Sequence, residues 1–258
     1  MPLLSTTSVV TALRAAGCVF AEDEAELILT TAPSPDEAAA MVDRRVAGLP
    51  LELVLGWAEF AGLRITVEPG VFVPRRRTEF LVEQALATVA GASVVIDLCC
   101  GSGAVGAALA TSLEGAELHV ADIDPAAVRC ARRNIAPHGG HAHEGDLFAA
   151  LPARLRGRVD ILAANVPYVP TDEVPLLPSE ARDHEPLVAL DGGADGLDVL
   201  RRVAAEAPEW LAPGGCLLVE TSERQAPLAL DTFLRSGLTA RVAVSEEMYA
   251  HVVLGSRP

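Results

Sequence analysis

The sequence predicts an α/β, Rossmann-like fold, a mostly parallel sheet with an antiparallel edge, joined to a small helical N-terminal domain. Three observations carry this. First, the apolar run Val94-Val95-Ile96-Asp97-Leu98 breaks into Gly101, Gly103 and Gly106, the pattern of strand, tight turn and helix start. Second, comparable apolar runs return at Leu118–Asp122 and Val159–Ala164, each closing on a polar residue at its end, Asp122 and Asn165. Third, the chain closes on two alternating stretches, Ala240–Val244 and Val252–Leu254, that suggest a terminal antiparallel pair.

In chain order, Ser8 to about Trp57 carries helical signals, with Ser34 as an N-cap ahead of Pro35 at the first helical position. Residues 1–62 are therefore expected to form a helical N-terminal substrate-recognition domain. Leu63–Pro74 alternates and then turns, which suggests a β-hairpin linker over 63–78. The catalytic domain follows over 79–258, opening with a helix that starts at Thr78-Glu79 and runs up to the Val94 strand. Asp124-Pro125 begins a second helix with an acidic cap, a proline at N1 and arginines late, the polarity that a helix dipole favours. Gly145-Asp146-Leu147-Phe148 sits where a third strand ends. Pro175–His184 forms a loop close enough in sequence to cover a site, and Trp210–Glu220 reads as helix end, turn and another strand.

Composition narrows the function. A chain of 258 residues holds one α/β domain and a small additional one. The formal charge of −15, with arginine as the sole strong base, disfavours direct nucleic-acid binding. Five cysteines lack paired spacing and read as reduced thiols; no run approaches the ~20 apolar residues that span a bilayer, so the expected location is cytoplasmic, with no membrane partner. His138, His141 and His143 fall in a glycine-rich loop without a carboxylate or cysteine at fixed spacing, and no metal site is expected.

The chemistry gathers at the strand ends. Glycines at 101 and 103 let the backbone pass close to a ligand, and the spelling Gly101-x-Gly103-x-x-Gly106 fits a nucleotide-cofactor loop. Asp122 suits a pair of ribose hydroxyls whichever nucleotide is bound. Asp97, four residues before the first glycine, resembles motif I of the S-adenosylmethionine (SAM) methyltransferases. At the fourth strand, Asn165-Val166-Pro167-Tyr168 places a primary amide at the carboxyl edge of the sheet, where ligands of open α/β folds bind.

From about Asp23 to Gln225 the chain resembles the HemK/PrmC protein-(glutamine-N5) methyltransferases, which modify the Gly-Gly-Gln loop of peptide-chain release factors. The resemblance lies in Leu49-Pro50, Pro69–Arg75, Thr78-Glu79, motif I, Asp122, Asp146, Asn165–Tyr168, Glu185-Pro186, Gly196-Leu197, Gly214–Glu220 and Gln225. It implies a SAM-dependent enzyme whose partners are release factors. It further implies that Asp97, Cys99, Cys100, Gly101, Ser102, Gly103, Asp122, Asp146 and Leu147 hold SAM. Asn165, Val166, Pro167 and Tyr168 serve the acceptor amide, with Asn165 also near the cofactor. Arg75 is a candidate for the SAM carboxylate or the substrate. Two departures stand out: Val166 and Arg76 replace family prolines. A nucleobase amino group, a small molecule, or a non-catalytic SAM-binding role therefore stay open as alternatives.

Overall fold

The computed structural model describes residues 5–89 and 91–258. Four helices come first: α1 (Thr6–Ala15), α2 (Ala21–Thr31), α3 (Pro35–Val46) and α4 (Leu51–Leu55). They enclose their own small core of Val9, Leu13, Ala25, Ile28, Met41 and Val54. Ser34 caps α3 as expected, its hydroxyl accepting the Glu37 N–H at 3.2 Å.

The hairpin lies earlier than the sequence suggested. Strand β1 (Trp57–Phe60) pairs antiparallel with β2 (Leu63–Thr66) around an Ala61-Gly62 turn, Val67 adds one further bond to Gly56 at 3.1 Å, and residues 68–74 cross to the sheet domain outside any strand. Both turn residues adopt positive φ, +50° and +74°. A turn of this kind suits two-residue hairpin loops, whereas the later Pro69-Gly70 closes a separate turn in which the Val71 N–H donates to the Glu68 carbonyl at 3.1 Å and no strands are joined. The alternation of Leu63–Val67 is real; its partner precedes it.

The sheet domain contains α5 (Glu79–Thr88), β3 (Val94–Leu98), α6 (Ala104–Ser112), β4 (Glu117–Asp122), α7 (Pro125–Ile135), β5 (His141–Glu144) and β6 (Val159–Ala164). Short helices α8 (Ser179–His184) and α9 (Leu187–Leu190) precede α10 (Asp198–Trp210), β7 (Leu211–Thr221), α11 (Ala226–Arg235), β8 (Thr239–Ser245) and β9 (Ala250–Ser256). The seven-stranded sheet has the order β5-β4-β3-β6-β7-β9-β8. Its first five strands are parallel, and β9 is antiparallel to both β7 and β8. The expected mixed edge is present.

All of β3 is buried because both sheet faces are covered, which explains why it reads as a continuous apolar run. Successive side chains alternate between two cores. Val95, Val120, Ile161 and Leu218 face α5, α6 and α7; Ile96, Leu162, Leu217 and Trp210 belong to the side carrying α10 and α11. His141 and His143 sit on edge strand β5, in register with His119 and Ala121 of β4, and not in the loop the glycines had suggested. Strand order reverses between β3 and β6, so the carboxyl ends of these two strands open on a crevice.

Candidate active site

The crevice is a cavity of about 420 Å³, inside the ~300–1,000 Å³ range of small-molecule sites. On its floor, Asp97 ends β3 with 1% of its surface exposed, its Oδ2 accepting the Gly106 N–H at 2.9 Å. Burial pushes its carboxyl up to about 7, against the pull of the Gly106 hydrogen bond; the neighbouring Asp122 adds to the rise. The turn after β3 is held by Asp122 at the end of β4. Asp122 Oδ2 accepts the Gly101 N–H at 2.8 Å and Oδ1 accepts the Asp124 N–H at 3.0 Å. Each oxygen keeps a lone pair, which suits a vicinal diol.

Backbone strain gathers at this end. Cys99 and Leu147 are non-glycine residues with φ of +53° and +48°, and both line the cavity. Conformations of this kind cost ~1–3 kcal/mol each and persist where the surroundings over-determine them. Asp97, Cys99, Cys100, Gly101, Ser102, Asp122, Asp146 and Leu147 all face the cavity, as do Asn165, Val166, Pro167 and Tyr168. Gly103 is the exception. It turns away with φ +78°, and a Cβ there would stand 3.0 Å from the Ala131 backbone, so its role is to let α6 pack on α7. Burial pushes the Cys99 and Cys100 thiols upward, which makes them fillers and not nucleophiles.

At the opposite end, Asn165–Tyr168 leaves β6 through a backbone held by distant residues. Gly196, at φ +76°, packs so close that a Cβ would lie 2.2 Å from the Tyr168 carbonyl oxygen. Gln225, nearly buried, donates from Nε2 to that carbonyl at 2.8 Å and to the Asp195 carbonyl at 2.9 Å. The Asn165 amide donates to the Thr78 hydroxyl at 3.5 Å, the long end of hydrogen bonding, which leaves Asn165 Oδ1 without a partner among the described residues.

Sequence reasoning missed three charged participants. Arg77 donates from Nε to Glu220 Oε1 at 3.0 Å and from Nη2 to the Tyr168 hydroxyl at 2.6 Å. Glu185, buried, accepts Arg75 on both oxygens at 2.7 Å and the Val73 N–H at 3.1 Å. Arg75 thus lines the cavity but is occupied by a carboxylate of its own. Burial raises the Tyr168 phenol to about 12, with Glu220 adding to the rise and Arg77 opposing it. A residue triple Arg77, Tyr168, Glu220 has no local sequence signature.

Comparison with known proteins places this geometry. Residues 62–175 match the family model described as Methyltransferase small domain. A release factor glutamine methyltransferase from Geobacter sulfurreducens is 42% identical over 209 residues, spanning 79% of this chain and 72% of that protein. The chain belongs to the release factor glutamine methyltransferase family. Members of the wider group differ in what they modify: a 4-amino-L-phenylalanine/4-methylamino-L-phenylalanine methyltransferase from Streptomyces pristinaespiralis is 35% identical, over 83% of this chain and 74% of that protein. A methyltransferase from Pyrococcus furiosus, 16% identical with a TM-score of 0.57, covers 76% of this chain and 89% of its own, and shows the fold. No helix among the described residues is long and apolar enough to cross a membrane.

Proposed function

We propose that the protein transfers a methyl group from S-adenosyl-L-methionine to the side-chain amide nitrogen of a protein glutamine, in the Gly-Gly-Gln loop of peptide-chain release factors. The observation that carries the acceptor reading is Asn165, which lines the cavity, its amide N–H turned toward Thr78 and its Oδ1 without a partner among the described residues. The family relationship supports both the enzyme class and the release-factor substrate. We also propose that residues 1–62 recognise the protein substrate and that 79–258 perform the transfer.

The residues present fit SAM. Asp122 offers lone pairs for two ribose hydroxyls, Asp97 and the Cys99–Ser102 turn suit the methionine part, and Asp146-Leu147 flanks the adenine end. When bound, the cofactor supplies an electrophilic methyl on a cationic sulfur.

An amide nitrogen is a poor nucleophile because its lone pair is delocalised into the carbonyl. Asn165 Oδ1 and the Val166 carbonyl accept its two N–H hydrogens and aim the lone pair along the line of transfer. Fixing donor and acceptor in this way is a proximity effect, which can supply roughly 7–11 kcal/mol of a barrier. Forming the C–N bond would break the methyl–sulfur bond, leaving a neutral thioether, and the positive charge gained by the nitrogen would be stabilised by the two carbonyl-type oxygens until one N–H proton passes to solvent water. Tyr168, with its phenol raised to about 12, stays protonated at neutral pH and serves as a wall and not as a base.

The relative acting on 4-amino-L-phenylalanine favours a second reading, a free amino acid bearing an aryl amine. Charge argues for the protein amide: Arg75 and Arg77, the arginines that line the acceptor end among the described residues, are each matched by a carboxylate and are not free for an α-carboxylate. Incubation with SAM and either release factors or aminophenylalanine, followed by mass spectrometric location of the methyl, decides between them. A methyl on the Gly-Gly-Gln glutamine is expected; methylation of the free amino acid alone would replace the first reading with the second.

A further inference from the structure

The contacts of Arg77, Tyr168 and Glu220 form a closed ring. Arg77 reaches Glu220 Oε1 through Nε and the Tyr168 hydroxyl through Nη2, and that hydroxyl donates in turn to the same Glu220 oxygen at 3.1 Å. The phenol therefore both accepts and donates a hydrogen bond, and swinging the side chain about its Cα–Cβ bond would break both, whereas a ring flip about Cβ–Cγ leaves the para hydroxyl on its axis. Glu220, 2% exposed at the end of β7, has no partner for its other oxygen among the described residues. Arg77 is the cation that contacts it. The guanidinium itself is half-exposed and lines the cavity beside Tyr168 and Thr78. Its two contacts use the forked geometry of arginine, which the point charge of a lysine cannot reproduce.

We propose that Arg77 and Glu220 are positioning residues that hold the Tyr168 side chain in one χ1 rotamer against the methyl-accepting amide, so that Arg77 governs acceptor use without contributing to cofactor binding. This rests on the acceptor reading above. Arg77 acts through the Tyr168 hydroxyl; Asn165 and Val166 hold the reacting nitrogen against the wall so formed.

Two measurements separate this role from a merely structural one. The first is kinetic, with a Gly-Gly-Gln release factor as acceptor. Arg77→Ala is expected to lower kcat at least tenfold while the dissociation constant of S-adenosylhomocysteine stays within twofold. Arg77→Lys fails to restore the rate. In a Tyr168→Phe background, which keeps the Arg77–Glu220 pair, adding Arg77→Ala costs less than a further twofold. Because Arg77→Ala strands a buried carboxylate, Arg77→Ala/Glu220→Gln provides the same loss in a neutral form should the single variant fold poorly. A full additional tenfold loss in the Tyr168→Phe background, or rescue by lysine, overturns the proposal.

The second measurement needs no acceptor. The chain has two tyrosines, Tyr249 87% exposed and Tyr168 partly buried, so 3-fluorotyrosine labelling gives two distinct ¹⁹F environments. The Tyr168 signal is expected to relax as a rigid part of the fold and, in Arg77→Ala/Glu220→Gln, to acquire the fast local motion of an exposed tyrosine as the side chain leaves its rotamer. An unchanged Tyr168 spectrum in that variant overturns the lock. If wild type methylates no Gly-Gly-Gln protein yet the spectra behave as expected, the acceptor assignment fails while the lock stands.

Discussion

The two ends of the cavity are built in different ways. At the cofactor end, Asp97 and Asp122 bind backbone N–H groups 9 and 21 residues away, within one strand-turn-helix unit and its neighbouring strand. At the acceptor end, Tyr168 is held by Gln225, Glu220 and Arg77, which lie 57, 52 and 91 residues away in the chain. The first end is a local motif that the backbone itself shapes. The second is an assembly of side chains from four segments, joined only by the folded sheet. Changes at the first should alter cofactor binding; changes at the second should leave it intact and alter transfer.

The largest test of that division is Asn165→Ala. Loss of one acceptor oxygen for the reacting N–H is expected to lower the rate by roughly 10²–10³-fold, the scale seen when one oriented hydrogen-bonding group is removed from an active site. Cofactor affinity should stay within about tenfold, ~1.4 kcal/mol. Calorimetry with S-adenosylhomocysteine beside a methyl-transfer assay checks both, and loss of cofactor binding as the sole defect would make Asn165 part of the first end.

Next in size is Gly196→Ala. The residue has φ +76° and its Cβ would sit 2.2 Å from the Tyr168 carbonyl oxygen. A shift of the Asn165–Tyr168 backbone is the expected response, with a stability cost of ~1–3 kcal/mol and a larger loss of transfer than of cofactor affinity. Thermal unfolding alongside both assays reads it. Equal loss of cofactor binding would mean that the two ends move together.

These two residues also mark how far the sequence was legible. Motif I, the strand ends at Asp122 and Asn165, and the caps at Ser34 and Asp124 could be read because each depends on residues a few positions apart. The hairpin was misplaced because alternation shows a strand without naming its partner, and here the partner came before it. Histidines beside glycines suggested a loop, yet pairing with β4 makes Glu144 and its neighbours a strand. Arg77 drew no role from the sequence because its partner Glu220 lies 143 residues on, and no local pattern joins them.

A smaller effect probes the cofactor end alone. Asp97 in the free protein is raised to about 7 by burial, above the ordinary carboxylate value of 3.8. The folded state therefore holds a proton that the unfolded state has released. This carboxyl costs stability as pH rises from about 4 through 7, and Asp97→Asn should raise the melting temperature of the free protein at pH 8. A cationic ligand beside Asp97 favours the charged form. Affinity for S-adenosylhomocysteine should then fall as pH drops below about 7, by at most about tenfold per pH unit, and flatten above it. A pH-independent affinity in wild type, or an unchanged slope in Asp97→Asn, would remove Asp97 from the cofactor's methionine part.

The smallest expected effect is at Val166, where the family carries proline. Transfer needs the carbonyl of this residue, and valine supplies one as well as proline does. The side chain is buried, 1% exposed, so its volume is already accommodated beside the Leu162 and Val219 core. Its backbone N–H has no hydrogen-bond partner among the described residues, so a proline would remove no bond. Pro167 already biases residue 166 toward extended backbone, and a β-branched side chain shares that bias, so the direction of the carbonyl is largely set without a second proline. What valine lacks is a fixed φ, and preorganisation of that single angle is all that Val166→Pro would add. The variant should change kcat by no more than about tenfold, ~1.4 kcal/mol of barrier, with cofactor affinity unchanged. If wild type proves inert on every Gly-Gly-Gln protein while Val166→Pro gains activity by orders of magnitude, position 166 selects the acceptor, and the acceptor end of this protein serves another substrate.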